Sequence, residues 1–428
     1  MLLLRILKLL IRYTLMQLRR ANGMLRWKRN LLVLWVGVFF TAASFYMVIP
    51  FLPIFLLEID VHEHTELWAG ILFSSAFFAG ALSSPFWGRV ADKYGRKPMI
   101  VRAGFALFII YTLAAFVTNP YELLILRILQ GLLSGFIPGA IALVGTNTPT
   151  AKVGYALSMI STASATGGIV GPLLGGILSE LVGNRLAFAS AGFIVFFATF
   201  LIIFLVKEEN FKPSKEKGSV KNDIKVAWSN RPLMFVMLLT VVTSCSILSI
   251  EPILPLYIID LGGSVENASL LAGVVFALPG IASVLFAPYW GKWADKIGFN
   301  RILFIGLLGG GLGTLSQIIF QDIWGFSITR FIFGIFFCAV FPALNGLVVR
   351  STSEEFRGRA FGLNQTANQI GGMIGPMVGG FLGGIFPAYS VFILTGVMLL
   401  AAAAIAYQKD EGLKQTVFKK VMHGHGKG

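Results

Sequence analysis

Long apolar runs, each of about 20 residues or more, alternate with short polar segments along the chain. A helix rises about 1.5 Å per residue, so a run of this length crosses a hydrocarbon core ~30 Å thick. Outer-membrane strands would be about ten residues long with alternating polarity, which this pattern excludes. We predict twelve membrane-spanning helices, spans one to twelve, at residues 31–57, 68–87, 99–117, 121–145, 154–182, 186–206, 233–259, 268–290, 302–320, 323–349, 361–385 and 389–407.

Two polar segments between apolar runs carry nearly the same residues. The first, Gly88 to Pro98, reads GRVADKYGRKP, and the second, Gly291 to Arg301, reads GKWADKIGFNR. An offset of 202 to 204 residues recurs elsewhere, in the pairs Pro50 and Pro252, Arg127 and Arg330, and Gly171 and Gly375. The chain therefore contains two copies of a six-span unit. Because six is even, both copies insert with the same orientation, and a path between them can open alternately to either side.

The repeat and the charges divide the chain into five parts. We predict a basic amphipathic arm at residues 1–30, a six-helix bundle at 31–206, a linker at 207–231, a second bundle at 232–407 and a tail at 408–428. Basic residues recur at helical spacing in the arm, which favours a helix lying on the membrane surface. Of the 35 Lys and Arg residues, all but Arg127, Arg185 and Arg330 fall on one side of the spans. Both termini are therefore expected in the cytoplasm.

Composition narrows the chemistry of this membrane protein. Hydrophobic residues make up 56% of the chain and charged residues 13%, with a mean hydropathy of +0.78. A net charge of +15 would suggest nucleic acid in a soluble protein, but these cations flank the spans, so no nucleic-acid partner is expected. The four histidines lie outside the spans, and the two cysteines, Cys245 and Cys338, lie inside them. We therefore expect no metal site, no cofactor and no enzymatic activity.

These repeated residues resemble a known family. The segment Gly88 to Pro98 is similar to the loop 2–3 signature Gly-x-Leu-Ala-Asp-Arg-x-Gly-Arg-Lys of the major facilitator superfamily. The run Gly171 to Gly176 resembles the signature of its twelve-span drug:H+ antiporter branch. The resemblance implies the all-α major facilitator fold and a location in the bacterial cytoplasmic membrane, where the protein is a monomer among membrane lipids. It also implies export of small lipophilic drugs, including cationic ones, in exchange for protons. A transporter of a defined metabolite, of the sugar, amino acid or siderophore type, is the alternative.

The two polar segments are predicted to act as a conformational motif. Their glycines permit tight turns between spans, and Asp92 is an acid among cations that can pair with Arg96 or approach a helix N-terminus across the two halves. Positive-inside topology alone explains the cations but neither the acid nor its repetition. We expect the motif residues to hold the cytoplasmic side shut, with the second copy weaker because Asn300 replaces a cation: Gly88, Asp92, Gly95, Arg96, Lys97, Gly291, Asp295 and Gly298.

Span five carries the residues of the antiporter signature. Glycines at every fourth position form a small-residue face against which another helix packs closely, and the proline adds a kink. The resemblance implies that this face seals the two halves of the protein together. The residues are Gly167, Gly171, Pro172, Gly175 and Gly176.

Three charged residues inside spans are candidates for proton coupling. Arg127 and Arg330 lie in spans four and ten, where a cation costs about 2–3 kcal/mol and requires a partner or a water-filled cavity. Glu251 is the acid deep within span seven, and its apolar neighbours favour a neutral carboxyl that exchanges a proton. A permanent ion pair between Glu251 and Arg330, and snorkelling of the arginines to the headgroups, are the alternatives. The resemblance associates Arg127 with proton transfer.

Aromatic and amide side chains on the predicted central helices are candidates for a substrate cavity. Large apolar surfaces near one acid suit lipophilic cations or neutral drugs. The acid gives the cavity a preference for positive charge, and the apolar walls impose no strict geometry on the ligand. The two asparagines of span eleven serve either a cavity or hydrogen bonds between helices. The candidates are Phe45, Tyr46, Phe136, Phe333, Phe337, Asn364 and Asn368.

Overall fold

The computed structural model describes residues 26–149, 152–208, 220–353 and 356–409. Most of the predicted arm, the middle of the linker and most of the tail lie outside these ranges. Within them the chain forms sixteen α-helices and no strand: Arg26–Met47, Leu52–Glu58, Thr65–Tyr94, Arg96–Ala114, Pro120–Leu133, Phe136–Asn147, Val153–Leu205, Val220–Ser229, Arg231–Leu248, Leu254–Asp260, Val265–Ile297, Phe299–Ser316, Ile323–Phe337, Val340–Arg350, Arg357–Ile385 and Tyr389–Lys409.

The twelve predicted spans are all found among these helices. Ten segments of the described chain are long and apolar enough to cross a membrane. One of them, Val153–Leu205, contains spans five and six, because Gly183 interrupts it with a φ of 82°. Span eleven is the 29-residue helix Arg357–Ile385, which is less apolar because it carries several Asn and Gln side chains. The prediction of an all-α membrane fold is confirmed.

Spans one, four, seven and ten are each interrupted once, at equivalent places in the repeat. The breaks fall at residues 48–51, 134–135, 249–253 and 338–339. In spans one and seven a proline opens the next helix, where its missing N–H is tolerated. In span four Gly135 adopts a φ of 125°, which side chains rarely permit. The break in span seven contains Glu251.

Each half packs a hydrophobic core of its own beside these breaks. In the first half the rings of Phe51 and Phe55 meet Phe188 edge-on, with centroids 4.9 and 5.1 Å apart. In the second half the ring centroids of Tyr257 and Phe326 lie 5.4 Å apart. Such pairs add about 0.5–1.5 kcal/mol to the area that they bury. The broken spans are therefore held by aromatic packing within each half.

The two halves touch at one end and stand apart at the other. We call the end that carries Gly88–Pro98 and Gly291–Arg301 the basic end. At the opposite end spans two and eleven, and spans five and eight, approach so closely that a Cβ on Gly176 would lie 2.6 Å from the carbonyl oxygen of Ser269. At the basic end of the same helices, a Cβ on Gly154 or Gly358 would meet no described atom within 4 Å. The space between the halves therefore opens toward the basic end.

Candidate functional site

A cavity of about 380 Å³ lies between the two halves. Its walls are mostly aromatic and aliphatic, and they carry one carboxyl group and one guanidinium group. The first half contributes Tyr46, Ile49, Gly168 and Pro172. The second half contributes Ile247, Glu251, Phe276, Pro279, Gly280, Ser283, Ala287, Arg330, Phe333, Gly334, Phe337, Cys338, Phe341 and Pro342.

Glu251 and Arg330 line this cavity together without forming an ion pair. Glu251 is 9% exposed and Arg330 is 5% exposed, yet no ion pair of 4.0 Å or less joins them in the part of the chain that the structure describes. Arg330 Nη1 donates to Gln317 Oε1 at 3.4 Å, and its Nε has no partner in the described ranges. The guanidinium also lies 5.6 Å from the ring centroid of Phe333. Both charges are therefore available to a ligand or a proton that enters the cavity.

Arg127 lies inside the first half and does not line the cavity. Its Nη1 donates to Gln130 Oε1 at 2.8 Å, and Gln130 Nε2 donates to the hydroxyl of Tyr111 at 3.0 Å. The sequence did not point to Gln130, Tyr111 or Gln317. Arg127 and Gln130 are three residues apart and therefore lie on one helical face, and this spacing could have indicated that they interact. The structure thus brings Glu251 and Arg330 to one wall and holds Arg127 elsewhere.

We expect Gln130→Leu to destabilise the first half by about 2 kcal/mol, because it leaves the buried guanidinium of Arg127 without its acceptor. The measurement is the midpoint of thermal unfolding of the purified protein in detergent. Gln321→Leu is the matched control, since the Gln321 side chain is exposed and bonds only within its own turn. Equal midpoints for the two variants would contradict this assignment.

Of the seven residues predicted for the substrate cavity, Tyr46, Phe333 and Phe337 line it. Phe45 packs against Phe77, with ring centroids 6.2 Å apart, and Phe136 is fully buried in the core of the first half. The two asparagines of span eleven are not among the residues that line this cavity. Asn364 instead accepts a hydrogen bond from Thr240 Oγ1 at 2.9 Å, which joins spans seven and eleven, and Asn368 is half-buried.

The residues of the antiporter signature divide between two contacts. Gly167, Gly171 and Gly175 face span one within the first half, where a Cβ on Gly171 would lie 2.6 Å from the carbonyl oxygen of Ala43. Gly176 and Pro172 instead face span eight of the second half. One face of span five therefore builds the first half, while the adjacent face closes the protein at the end opposite the basic end.

At the basic end the motif residues of the first copy form a polar cluster. Arg96 Nη2 lies 3.8 Å from Asp92 Oδ1, and the side chain of Asp92 is 54% exposed. Arg96 Nη1 donates to the carbonyl of Ala142 at 3.1 Å and to Thr146 Oγ1 at 2.6 Å, near the end of span four. Lys97 Nζ donates to the carbonyl of Ile203 at 2.8 Å, near the end of span six. These bonds join the motif to its own half.

Asp295 and Gly298 of the second copy lie at the equivalent place in the other half. The side chain of Asp295 is exposed, and Gly298 adopts a φ of 92° between spans eight and nine. A Cβ on Gly298 would meet no described atom within 4 Å, and the same is true of Gly88 and Gly291.

Two six-helix halves related by a repeat, with a charged cavity between them that is closed at one end, define a membrane transporter of the alternating-access type. The family model of the Major Facilitator Superfamily matches residues 34–283 and 265–422 of the chain. The chain belongs to this superfamily, and the recognition made from its motifs is confirmed.

Several relatives named "Multidrug resistance protein MdtG" are similar over most of the chain. The relative from Proteus mirabilis is 36% identical over 354 residues, which cover 82% of this chain and 87% of the relative. The relative from Salmonella arizonae is 38% identical over 349 residues, which cover 80% of this chain and 85% of the relative. That from Dickeya zeae is 36% identical over 381 residues, covering 88% and 93%.

Solved structures share the fold at low sequence identity. A bacterial homologue of the human lysosomal transporter Spinster, in an inward-facing and unoccupied conformation, has a TM-score of 0.73 at 15% identity and covers 90% of this chain and 97% of that chain. A mutant of the nucleoside transporter NupG has a TM-score of 0.73 at 14% identity and covers 89% and 99%. These likenesses support the transporter fold.

Proposed function

We propose that this protein exports lipophilic drugs, cationic ones among them, across the bacterial cytoplasmic membrane in exchange for protons, as a monomer with both termini in the cytoplasm. The observation that carries the proposal is the placement of Glu251, an acid in the wall of an aromatic cavity between the two halves. The name of the MdtG relatives supports drugs over a defined metabolite as the cargo.

Exchange requires that the proton and the substrate exclude each other at one group. An ionised Glu251 attracts a substrate cation, whereas a protonated Glu251 does not. The rings of Tyr46, Phe333 and Phe337 bind an apolar body without strict geometry, which suits varied cargo. Arg330 stabilises the ionised acid after the proton leaves, and Arg127 serves proton transfer within the first half. Uptake of a proton thus releases the substrate, and loss of the proton restores the site.

The conformational motif is proposed to close the basic end during the other half of the cycle. On this proposal the basic end faces the cytoplasm, as the positive-inside rule expects. Asp92 and Arg96 lie at the basic end, where the two halves stand apart. Closure then brings the exposed carboxylate of Asp92 toward the second half. The other motif residues belong to the turns between spans two and three and between spans eight and nine: Gly88, Gly95, Lys97, Gly291, Asp295 and Gly298.

We expect Gly273→Ala to lower transport about tenfold. The added methyl would overlap the carbonyl oxygen of Pro172 and force spans five and eight apart, which opposes closure of the end opposite the basic end. The measurement is ethidium efflux together with membrane abundance. Gly358→Ala is the control, because its Cβ meets no described atom within 4 Å. Unchanged efflux in Gly273→Ala would show that this contact does not govern closure.

The proposed function is tested with everted membrane vesicles that contain the full chain. Energised vesicles should accumulate ethidium, and a protonophore should abolish the accumulation. Vesicles from cells without the protein provide the background. Accumulation that persists with the protonophore would overturn proton coupling. A complete lack of drug transport would overturn drug export and favour the metabolite alternative.

A further inference from the structure

Glu208 lies directly after span six and reaches the first turn of span three, 112 residues earlier in the chain. Its Oε1 accepts the backbone N–H of Arg96 at 2.9 Å, and its Oε2 accepts the backbone N–H of Lys97 at 3.0 Å. The first N–H groups of a helix have no partner within the helix, and a carboxylate there also meets the positive end of the helix dipole. Glu208 therefore caps span three from another part of the chain.

Gly95 explains why this cap comes from a distance. It occupies the position before span three, where a Ser, Thr, Asp or Asn side chain ordinarily provides the cap. Its φ of 101° permits the sharp turn between spans two and three, and a Cβ there would lie 2.9 Å from Glu208 Oε2. The positive φ thus requires glycine, and the missing Cβ leaves the space that the carboxylate occupies.

The main chain of Lys207 fixes the position of this acid. The Nδ2 atoms of Asn30 and Asn147 both donate to the carbonyl oxygen of Lys207, at 2.7 and 3.0 Å. The N–H of Lys207 donates in turn to Asn30 Oδ1 at 3.2 Å. These bonds join the beginning of span one, the end of span four and the end of span six. The main chain next to Glu208 is consequently held in place by spans one and four of the first half.

We propose that Glu208 is a positioning residue of the transport cycle: it holds the segment Gly88–Pro98 in the orientation that closes the basic end. A motif that must dock on the other half loses less conformational freedom if it is already fixed to its own half. Glu208 accepts both bonds within this segment, from Arg96 and Lys97, which lie one and two residues after Gly95 and four and five residues after Asp92. At Gly298, the equivalent glycine of the second copy, a Cβ would meet no described atom within 4 Å. In the first copy, the carboxylate of Glu208 occupies this place beside Gly95.

The inference rests on the proposed alternating-access export. We expect Glu208→Gln and Glu208→Ala to lower the maximal rate of ethidium transport, about tenfold for the alanine variant, which corresponds to the loss of a helix cap. The glutamine variant should be intermediate, because one carbonyl acceptor is retained. The KM and the binding affinity for ethidium should stay as in the wild type, since Glu208 does not line the cavity. Lys207→Gln is the neighbouring control, because only the main chain of Lys207 takes part and its side chain is exposed.

A spectroscopic measurement separates this role from a purely structural one. Spin labels at Lys152 and Ser353, which are exposed and lie at the basic end of different halves, report the distance between the halves in the purified full chain with both native cysteines replaced. Glu208→Ala should reduce the population with the short distance, in which the basic end is closed, whereas Lys207→Gln should not.

Three results would overturn the inference. The first is a Glu208→Ala variant whose rate and distance distribution match those of the wild type. The second is a loss of ethidium binding in both Glu208 variants, which would make the acid a folding element. The third is a slower rate with an unchanged distance distribution. A wild-type protein without any ethidium transport would instead overturn the proposed function, and the distance distributions would still decide the role of Glu208 in closure.

Discussion

Glu251→Gln should abolish proton-driven efflux, with turnover at least about 100-fold lower, while the abundance of the protein in the membrane stays unchanged. The amide is nearly the same size as the carboxyl and fits the same wall of the cavity. It carries no charge at any pH and takes up no proton in the working range, so the exchange step has no group on which to occur. The measurement is ethidium accumulation in energised everted vesicles, normalised to the amount of protein.

The pH dependence of binding gives a second readout for the same variant. In the wild type, the affinity for ethidium should fall as the pH is lowered, because a protonated Glu251 no longer attracts the cation. In Glu251→Gln the affinity should be lower and independent of pH. Both affinities are measured by fluorescence titration of the purified protein, which does not require transport.

Glu180→Gln is the matched control for Glu251→Gln, because Glu180 is exposed at the end of span five and does not line the cavity. It should transport as the wild type does. Full proton-coupled efflux in Glu251→Gln would show that another acid carries the proton. Glu58 would then be the next acid to test, since it accepts a hydrogen bond from Asn184 near the end opposite the basic end; Asp60 follows it two residues later.

Asp92→Asn should abolish transport while leaving ethidium binding and membrane abundance intact. The carboxylate of Asp92 lies 3.8 Å from the guanidinium of Arg96 and is exposed on the side where the halves stand apart. An amide retains the shape but loses the charge that an ion pair or a helix N-terminus attracts. The basic end should then close poorly, so the cavity loads substrate but does not release it on the other side.

The second copy of the motif offers a matched control for Asp92→Asn. Asp295→Asn makes the same change at the equivalent place, where a Cβ on Gly298 would meet no described atom within 4 Å and Asn300 replaces a cation. We expect it to lower transport only about two- to threefold, the effect of a weakly held surface charge. Equal effects of the two variants would contradict the proposed difference between the two copies. Normal transport by Asp92→Asn would contradict the role of the motif itself.

Much of the fold followed from patterns that are local in the chain. Apolar runs of sufficient length specify the spans, since every backbone polar group in a lipid core must be satisfied within a helix. The breaks in spans one and seven were not predicted, although Pro53 and Pro255 lie just after them in the sequence. Span eleven was predicted at residues 361–385 with the other spans, although its amide side chains lower its hydropathy.

The site was only partly accessible from the sequence. Glu251 and Arg330 were expected near one another, and the structure places both on the cavity wall. Arg127, the third candidate for proton coupling, donates to Gln130 inside the first half. Helical spacing gives the depth of a residue within a span but not the direction in which its helix is rotated. That rotation is set by packing against neighbouring helices.

The sequence by itself determined the number of spans, their division into two repeated halves, and the superfamily. These properties depend on hydrophobic periodicity and on motifs whose residues are close together in the chain. Tertiary structure alone decided which end of the protein is closed, which charges share a cavity, and that Glu208 caps span three from 112 residues away. Each of these depends on contacts between residues that are distant in the chain, and no local pattern records them.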